Sequence, residues 1–362
     1  MKIKNLLFSV LCVLAISFSY TSCSSSDDDN LIDDGSTLNL PRTRAFFLNE
    51  GSYNMNNAGI TFYAPNKDHD KVNDIYQTQN KKGLGDTGQS IIGHDNNIFV
   101  VVFGSSLLVK LNSACVEQKR LAFAEADGQP RYITETGGKL YVTLYSGKVA
   151  KIDPKELKIE GYVMVDSNPE EIVENDGFLY VVNSGWGSGN TMSVINAAEF
   201  KLSKTITVAQ NPFKVLESED QIFVLAYGAS YPDPYTYPVQ KVNVANGSTS
   251  LIANASNMCE HNGTIYFVYS ETNWSTYETT NTFFSYNVKS GTLNNNTFFT
   301  DMPSELASES IYMMEINPEN GELYIGTSDY TTNGDIYRFN ASKKFVEKFE
   351  SGGVSPCGAV FF

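Results

Sequence analysis

The sequence carries only three histidines and two tryptophans in 362 residues, and it lacks the local patterns that build most catalytic and metal sites. His69, His94 and His261 are scattered, with no HExxH or HxH spacing, so a zinc pair on one helix face is excluded. There is no GxSxG elbow and no GxxxxGK[ST] loop, which removes the hydrolase nucleophile turn and the phosphate cradle. Asp68, Asp70 and Asp74 lack the glycine and closing glutamate of a calcium loop. Cysteine is sparse: beyond the N-terminal region only Cys115, Cys259 and Cys357 remain, with no CxxC spacing. This argues against a zinc ribbon or redox motif; one disulfide is the alternative in an oxidising compartment, but the odd count favours buried free thiols. Basic residues are in deficit, 26 against 41 acidic for a net charge of -15, so nucleic acid is not expected as a partner. No segment shows a convincing helical period.

Only one long apolar run is present, Leu6 to Phe18 behind Met1, Lys2 and Lys4. It is short for a bilayer span and reads as a signal peptide over residues 1–22. The run ends at Tyr20-Thr21-Ser22-Cys23, the form of a bacterial lipoprotein signal with Cys23 acylated; an ordinary secretory signal is the alternative. Ser24, Ser25 and Ser26 followed by Asp27, Asp28 and Asp29 resemble the surface-export signal of lipoproteins in Bacteroidetes-type bacteria. Residues 23–43 are expected to form an acidic flexible tether, since they show no apolar period. Loss of Lys2 and Lys4 leaves the body more acidic still, so attachment to the outer membrane rests on lipid, not on electrostatics. The expected location is the outer membrane, lipid-anchored and facing the exterior.

Residues 44–362 are organised by a repeat. NPEEIVENDGFLYVVN from Asn168 to Asn183 has kin in QPRYITETGGKLYVTL (129–144) and NPFKVLESEDQIFVLA (211–226). Each sets an aromatic eleven residues beyond a proline: Tyr141 after Pro130, Tyr180 after Pro169, Phe223 after Pro212. A fixed offset marks a repeat unit, here a turn closed by proline, an inner strand, a tight turn at Gly or Asp, and an apolar second strand. Second strands recur at Phe47, Phe99, Tyr141, Tyr180, Phe223, Tyr266 and Tyr324, which makes seven units. Asp74–Tyr76 reads as an outer strand of the first. The end of the chain, SPCGAVFF, is an inner-strand half without a second strand, and the first unit at Ala45 lacks an inner strand. The two halves complete each other. The expected fold is all-β, a single seven-bladed β-propeller over residues 44–362, with Gly358–Phe362 closing the first blade.

Leu48-Asn49-Glu50-Gly51, Leu84-Gly85-Asp86 with Gln89-Ser90, Pro130-Arg131-Tyr132 and the Gly-x-Leu-Tyr-Val type strands resemble the YncE-like propeller lipoproteins of Bacteroidetes across the whole mature chain. That resemblance implies a surface protein and brings in vitamin B12-binding lipoproteins that serve a TonB-dependent outer-membrane transporter. It carries over no ligand residue.

In a propeller the loops entering the inner strands and those joining second to third strands open on one face. Those loops here hold Tyr53, Trp186, Tyr227, Tyr231, Tyr235, Tyr237, Trp274, Tyr277 and Tyr330, among Asn, Ser and Thr. Aromatic rings supply area and small polar groups supply direction, a combination suited to a large ligand with flat apolar surfaces and many amides or hydroxyls. Around the axis the expected residues are Gln89, Arg131, Glu170 or Glu171, Lys214, Met258 to Glu260, and Glu309 or Ser310. Glu170, Glu260 and Glu309 are the candidates for a metal in a lactonase-like hydrolase, but Arg131 and Lys214 fall among them and favour a salt-bridged, hydrated channel. No cofactor is implied. The expectation is a non-enzymatic lipoprotein whose partners are a small-molecule nutrient, a corrinoid ahead of a glycan, and an outer-membrane transporter, with Arg131 and the loop aromatics as ligand contacts.

Overall fold

Each repeat unit folds into a four-stranded antiparallel sheet. The computed structural model describes residues 31 and 33–362 except 67–69, 274 and 277; the signal peptide, Cys23, Asp68, His69, Trp274 and Tyr277 lie outside the described residues. Six blades run in chain order. Their inner strands are Gly88–His94, Pro130–Thr136, Pro169–Asn175, Pro212–Ser218, Asn257–His261 and Ile311–Ile316, in blades 2 to 7. Blade 1 takes its inner strand, Pro356–Phe361, from the end of the chain and pairs it with Ala45–Asn49. Inner strands contact one another in cyclic order, with Pro356–Phe361 touching those of both blade 2 and blade 7. The ring is closed: this is a seven-bladed β-propeller.

The second strands are buried along their length because each blade is covered on both faces by its neighbours. AFFLN, KLYVTL, FLYVVN and QIFVLA show this in their β-branched and aromatic content. The tight turns between inner and second strands place consecutive residues at positive φ, such as Asp176-Gly177 (49° and 77°) and Asn262-Gly263 (50° and 73°), the geometry of a two-residue hairpin that follows strand twist. Closure is sealed by packing. Fully buried Phe47 meets Tyr324 at 5.3 Å and Phe361 at 6.4 Å between ring centroids, and truncation of such a ring costs about 3–5 kcal/mol. Arg44 and Phe362 add a pair of backbone hydrogen bonds of 2.9 Å.

One sequence expectation needs correction. The outer strand of blade 1 is Asp70–Val72, and Asp74 is not in a strand but caps a six-residue helix, Ile75–Asn80. The Asp74 carboxylate accepts from the Gln77 N–H at 2.9 Å, satisfying an N–H that the first turn leaves open, while Ile75 and Tyr76 are buried beneath. Part of the expected tether is also docked. Arg44 forms an ion pair with Asp33 at 3.0 Å, Thr37 donates to Gln79, and Leu38 and Leu40 pack on the cluster between blades 1 and 2. Cys115, Cys259 and Cys357 are free thiols, the first two buried.

Candidate functional site

The site is created by a break in strand register. In six blades the first residues of the inner strand slip against the second strand, between Gly88 and Ser90, Pro130 and Ile133, Pro169 and Ile172, Pro212 and Lys214, Ile311 and Met313, and opposite Leu48 and Asn49 in blade 1. The residues left without a partner are Gln89, Arg131 with Tyr132, Glu170 with Glu171, Phe213, Tyr312 and Cys357. A bulge re-aims the side chain it leaves over, and all of these line one axial cavity of about 980 Å³. A second tier comes from residues that directly follow a second strand: Glu50 and Tyr227 also line the cavity, while Phe103, Tyr145 and Ser184 stand behind it against Arg131 and Glu170.

The two tiers are joined. Arg131 donates from Nε and Nη2 to Glu170 Oε2 at 2.9 and 2.8 Å, and from Nη1 to Gln89. Glu170 Oε1 accepts from Tyr145 at 2.7 Å and Ser184 at 3.0 Å, so its acceptors are occupied. The guanidinium also lies 5.0 Å from the Phe103 ring centroid and 4.8 Å from that of Tyr145, where ring quadrupoles favour a cation. Across the cavity Tyr312 donates to Glu50. Burial pushes the Glu50 carboxyl up, against the Tyr312 hydrogen bond and the Arg131 charge. The Cys357 thiol is held well above its ordinary range by burial, with Glu50 and Glu315 adding to it.

Deeper in the channel stand Glu171, Lys214 and Glu315. Lys214 donates to Asn257 Oδ1 at 3.0 Å, and Glu171 Oε2 accepts from the Val215 N–H at 2.8 Å. Burial raises the Glu171 carboxyl despite the Lys214 charge. It pushes Glu315 up to about 7, again against Lys214, with Glu171 adding to the rise.

One wall rises above the rest. In blade 6 the second and third strands are ten residues each, Thr264–Asn273 and Glu278–Asn287, and the inner strand pairs only as far as Val268. Five further residues project beyond it, about 16 Å at strand rise. Ser270, Thr272 and Thr279 on this hairpin line the cavity, with the two threonine hydroxyls 3.1 Å apart.

Of the aromatics expected to form the site, Tyr227, Tyr237 and Tyr330 line the cavity, as does Arg131. Tyr227 is wedged among Phe213, Tyr235 and Tyr237, with centroids at 4.3, 4.8 and 5.7 Å. Trp186 stands outside the cavity, 76% exposed and edge-on to Tyr145 at 5.7 Å. Tyr235 packs on Tyr237 outside the cavity lining, and Tyr53 and Tyr231 are also outside it, 64% and 87% exposed. Trp274 and Tyr277 are not among the described residues. The three carboxylates proposed for a metal do not meet: Glu260 accepts from Ser218 and the Gly263 N–H at the far turn of blade 6, and Glu309 is outside the cavity lining, leaving Glu170 alone. Among the described residues no group of three or more His, Cys, Asp or Glu is arranged around a metal position.

Sequence reading missed Glu50, Tyr145, Phe213, Tyr312 and Glu315. A usable signal existed for Glu50 and Tyr145, which occupy in their units the position that Tyr227 occupies in its own, one residue past the second strand.

Fold and channel together define a seven-bladed β-propeller with a polar and aromatic axial cavity. The chain belongs to the family described as a domain of unknown function, DUF5074, which matches it over residues 44–361. No curated protein matches its sequence. Among solved structures it is similar to hydrazine synthase of Kuenenia stuttgartiensis, with 17% identity, a TM-score of 0.58, and coverage of 71% of this chain and 77% of that one. The WD40 β-propeller domain of Doa1 is similar at 11% identity and a TM-score of 0.54, covering 82% of this chain and 88% of that one. U3-55K aligns at 8% identity and a TM-score of 0.50, covering 71% and 79%. At such identities the likeness extends to the fold alone.

Proposed function

We propose that this protein is a non-enzymatic receptor that takes a small organic ligand into the mouth of its axial channel. The observation that carries the reading is the ring of bulged residues. Six blades break their register at the same height and turn polar and aromatic side chains to one cavity, a costly arrangement for a ring that needed only to be closed. Concavity, aromatic area and a few fixed polar groups are what ligand sites share.

The finer reading draws on the sequence. The signal ending at Cys23, the acidic run behind it and the resemblance to the B12-binding surface lipoproteins make the protein a lipid-anchored surface receptor. A corrinoid is its first candidate ligand, passed to a TonB-dependent outer-membrane transporter. Rings edged by amides and hydroxyls, as around Tyr227, Tyr330, Thr272 and Asn211, suit a planar, amide-fringed macrocycle.

The test is titration of the purified chain with cyanocobalamin, followed by calorimetry and tryptophan fluorescence. Saturable binding with quenching is expected. Absence of binding at micromolar protein removes the corrinoid, and retention on polysaccharide gels would then move the reading to a glycan stacked on the exposed rings of Trp186 and Tyr330.

A further inference from the structure

Blade 6 leaves part of a strand edge open in the channel mouth. Its second strand, Thr264–Asn273, runs on past the inner strand, Asn257–His261, whose pairing stops at Val268. The chain before Asn257 turns aside to blade 5, where the Ala255 N–H donates to the Tyr237 carbonyl at 2.9 Å. The rest of the second strand therefore has a partner on one side only, the third strand Glu278–Asn287.

Backbone groups alternate in direction along an antiparallel strand, and two contacts fix the alternation here. The Val268 carbonyl accepts from the Ser256 N–H at 2.7 Å, and the Ser270 N–H donates to Ser256 Oγ at 2.9 Å. The even-numbered residues thus turn their N–H and C=O groups toward the axis, while Glu271 and Asn273 turn theirs to Thr280 and Glu278. Thr272 and Thr279 are then a non-hydrogen-bonded pair, the kind in which side chains lie closest, and their hydroxyls are 3.1 Å apart. At Ser270 the Ser256 hydroxyl stands in for a further strand. At Thr272 nothing does: among the described residues its backbone N–H and C=O have no partner. An open edge of this kind is a template for another strand.

Aromatic rings flank the edge on both sides. Along the second strand Phe267 packs into the core shared with blade 5 and Val268 into the core shared with blade 7. On the blade 5 side stand Tyr227 and Tyr237, with centroids 5.7 Å apart, and on the blade 7 side Tyr312 and Tyr330, also 5.7 Å apart. All four line the cavity, as do Ser270 and Thr272.

We infer that the channel mouth binds a short extended peptide as an added strand on blade 6, end to end with the inner strand and paired with Thr272. The inference rests on the receptor reading and names a ligand class for it. One peptide residue exchanges two hydrogen bonds with Thr272, N–H to carbonyl in each direction. Its side chain falls on the same side as that of Thr272, toward Tyr312 and Tyr330, and the side chains of its two neighbours fall toward Tyr227 and Tyr237. Backbone pairing supplies affinity, and the alternating aromatic walls select aromatic or apolar side chains. Four residues span about 13 Å at strand rise, which fits the projecting length of the hairpin.

The probe is acetyl-Ala-Tyr-Tyr-Ala-amide, an uncharged peptide, titrated calorimetrically into the full chain. The control is the same peptide N-methylated on both tyrosine nitrogens. Saturable binding of the probe is expected, with the control weaker by about tenfold or more, since it loses a hydrogen bond and sets a methyl group against the edge. Thr272→Pro should weaken the probe to a similar extent and leave the melting temperature nearly unchanged, because that N–H serves no bond of the sheet. Amide exchange followed by nuclear magnetic resonance reads the parent directly: saturating probe should slow the Thr272 N–H and leave the Glu271 N–H, already bonded within the hairpin, as it was. No saturable binding of the probe, equal binding of probe and control, or a Thr272 amide that exchanges as fast with the probe as without it overturns the inference. Cyanocobalamin titrated in parallel keeps the readings apart. Corrinoid binding without peptide binding removes the added strand and leaves the receptor, whereas peptide binding without corrinoid binding keeps the receptor and replaces its first ligand.

Discussion

Glu315→Gln should make the protein more stable in alkaline solution and leave it unchanged in acid. The carboxyl is ordinary near 4.5 and is pushed up to about 7 in the folded chain by burial. Between those two values the native state holds a proton that the unfolded state has released. Stability therefore falls as pH rises through the window from about 4.5 to about 7, and the loss is complete above it. At about 1.4 kcal/mol for each pH unit, the loss is about 3 kcal/mol, an upper figure because Lys214 and the cavity leave Glu315 room to relax. Glutamine matches the neutral acid in shape and cannot ionise. Urea unfolding of parent and variant at pH 4, 6, 7 and 8.5 is the assay, read from midpoints at constant slope. The two should coincide at pH 4 and separate progressively up to pH 8.5, a shift that is large against a whole-domain stability of about 5–15 kcal/mol. Curves that stay parallel at every pH would refute the reasoning, because Glu315 would then be ionised and solvated in the folded protein as it is in the unfolded one.

Arg131→Met leaves Glu170 buried without its cation and should cost about 3–5 kcal/mol; adding Glu170→Gln should recover much of this, as measured by urea unfolding of both variants. Removal of residues 356–362 takes away the inner strand of blade 1 and the Phe361 ring that packs on Phe47, so near-ultraviolet dichroism should collapse and elution volume should change; a native spectrum would disprove the closure. Trp186→Ala should leave the melting temperature unchanged, because the indole is exposed, while weakening ligand binding by about tenfold if the ring is an anchor; unchanged affinity in calorimetry would take Trp186 out of the site.

The fold was legible because its two strongest signals report separate physical demands. Pro130, Pro169 and Pro212 begin inner strands at the bulge, where a missing N–H costs no ladder bond. Tyr141, Tyr180 and Phe223 sit in second strands buried by neighbouring blades. The offset between them is therefore the length of one hairpin. The helix at Ile75–Asn80 was not legible, because six residues are too few to show a period, and Asp74 serves as a cap as readily as it occupies a turn. The axial residues were legible only in part. Arg131, Glu170, Glu171, Gln89 and Lys214 follow from inner-strand starts, but a bulge admits two neighbours where alternation admits one, and hence Tyr132 joins Arg131. Blade 6 has no bulge, so Glu260 falls at the far turn. Glu309 precedes its strand, after the single-turn helix Ser304–Ala307. For Tyr53 and Tyr231, loop composition says that rings are present and nothing about where they point.

Closure and site are the same event seen at the two ends of one strand pair. Toward one end, Phe47 and Phe361 bring the two ends of the chain into one sheet. Toward the other, the same pairing brings Glu50, just past the first strand, beside Cys357, just inside the last, and places both within reach of Tyr312 from blade 7. The cavity wall between blades 7 and 2 does not exist until that strand is seated. A ligand that touches this wall binds the closed ring and not the open chain, and so stabilises closure with the logarithm of its concentration over its dissociation constant, by about 2.7 kcal/mol at a hundredfold excess. The sequence motif Leu48-Asn49-Glu50-Gly51 is thus doubly constrained: Leu48 and Asn49 take the strand that completes the blade, and Glu50 takes the position in the site that only a completed blade can offer.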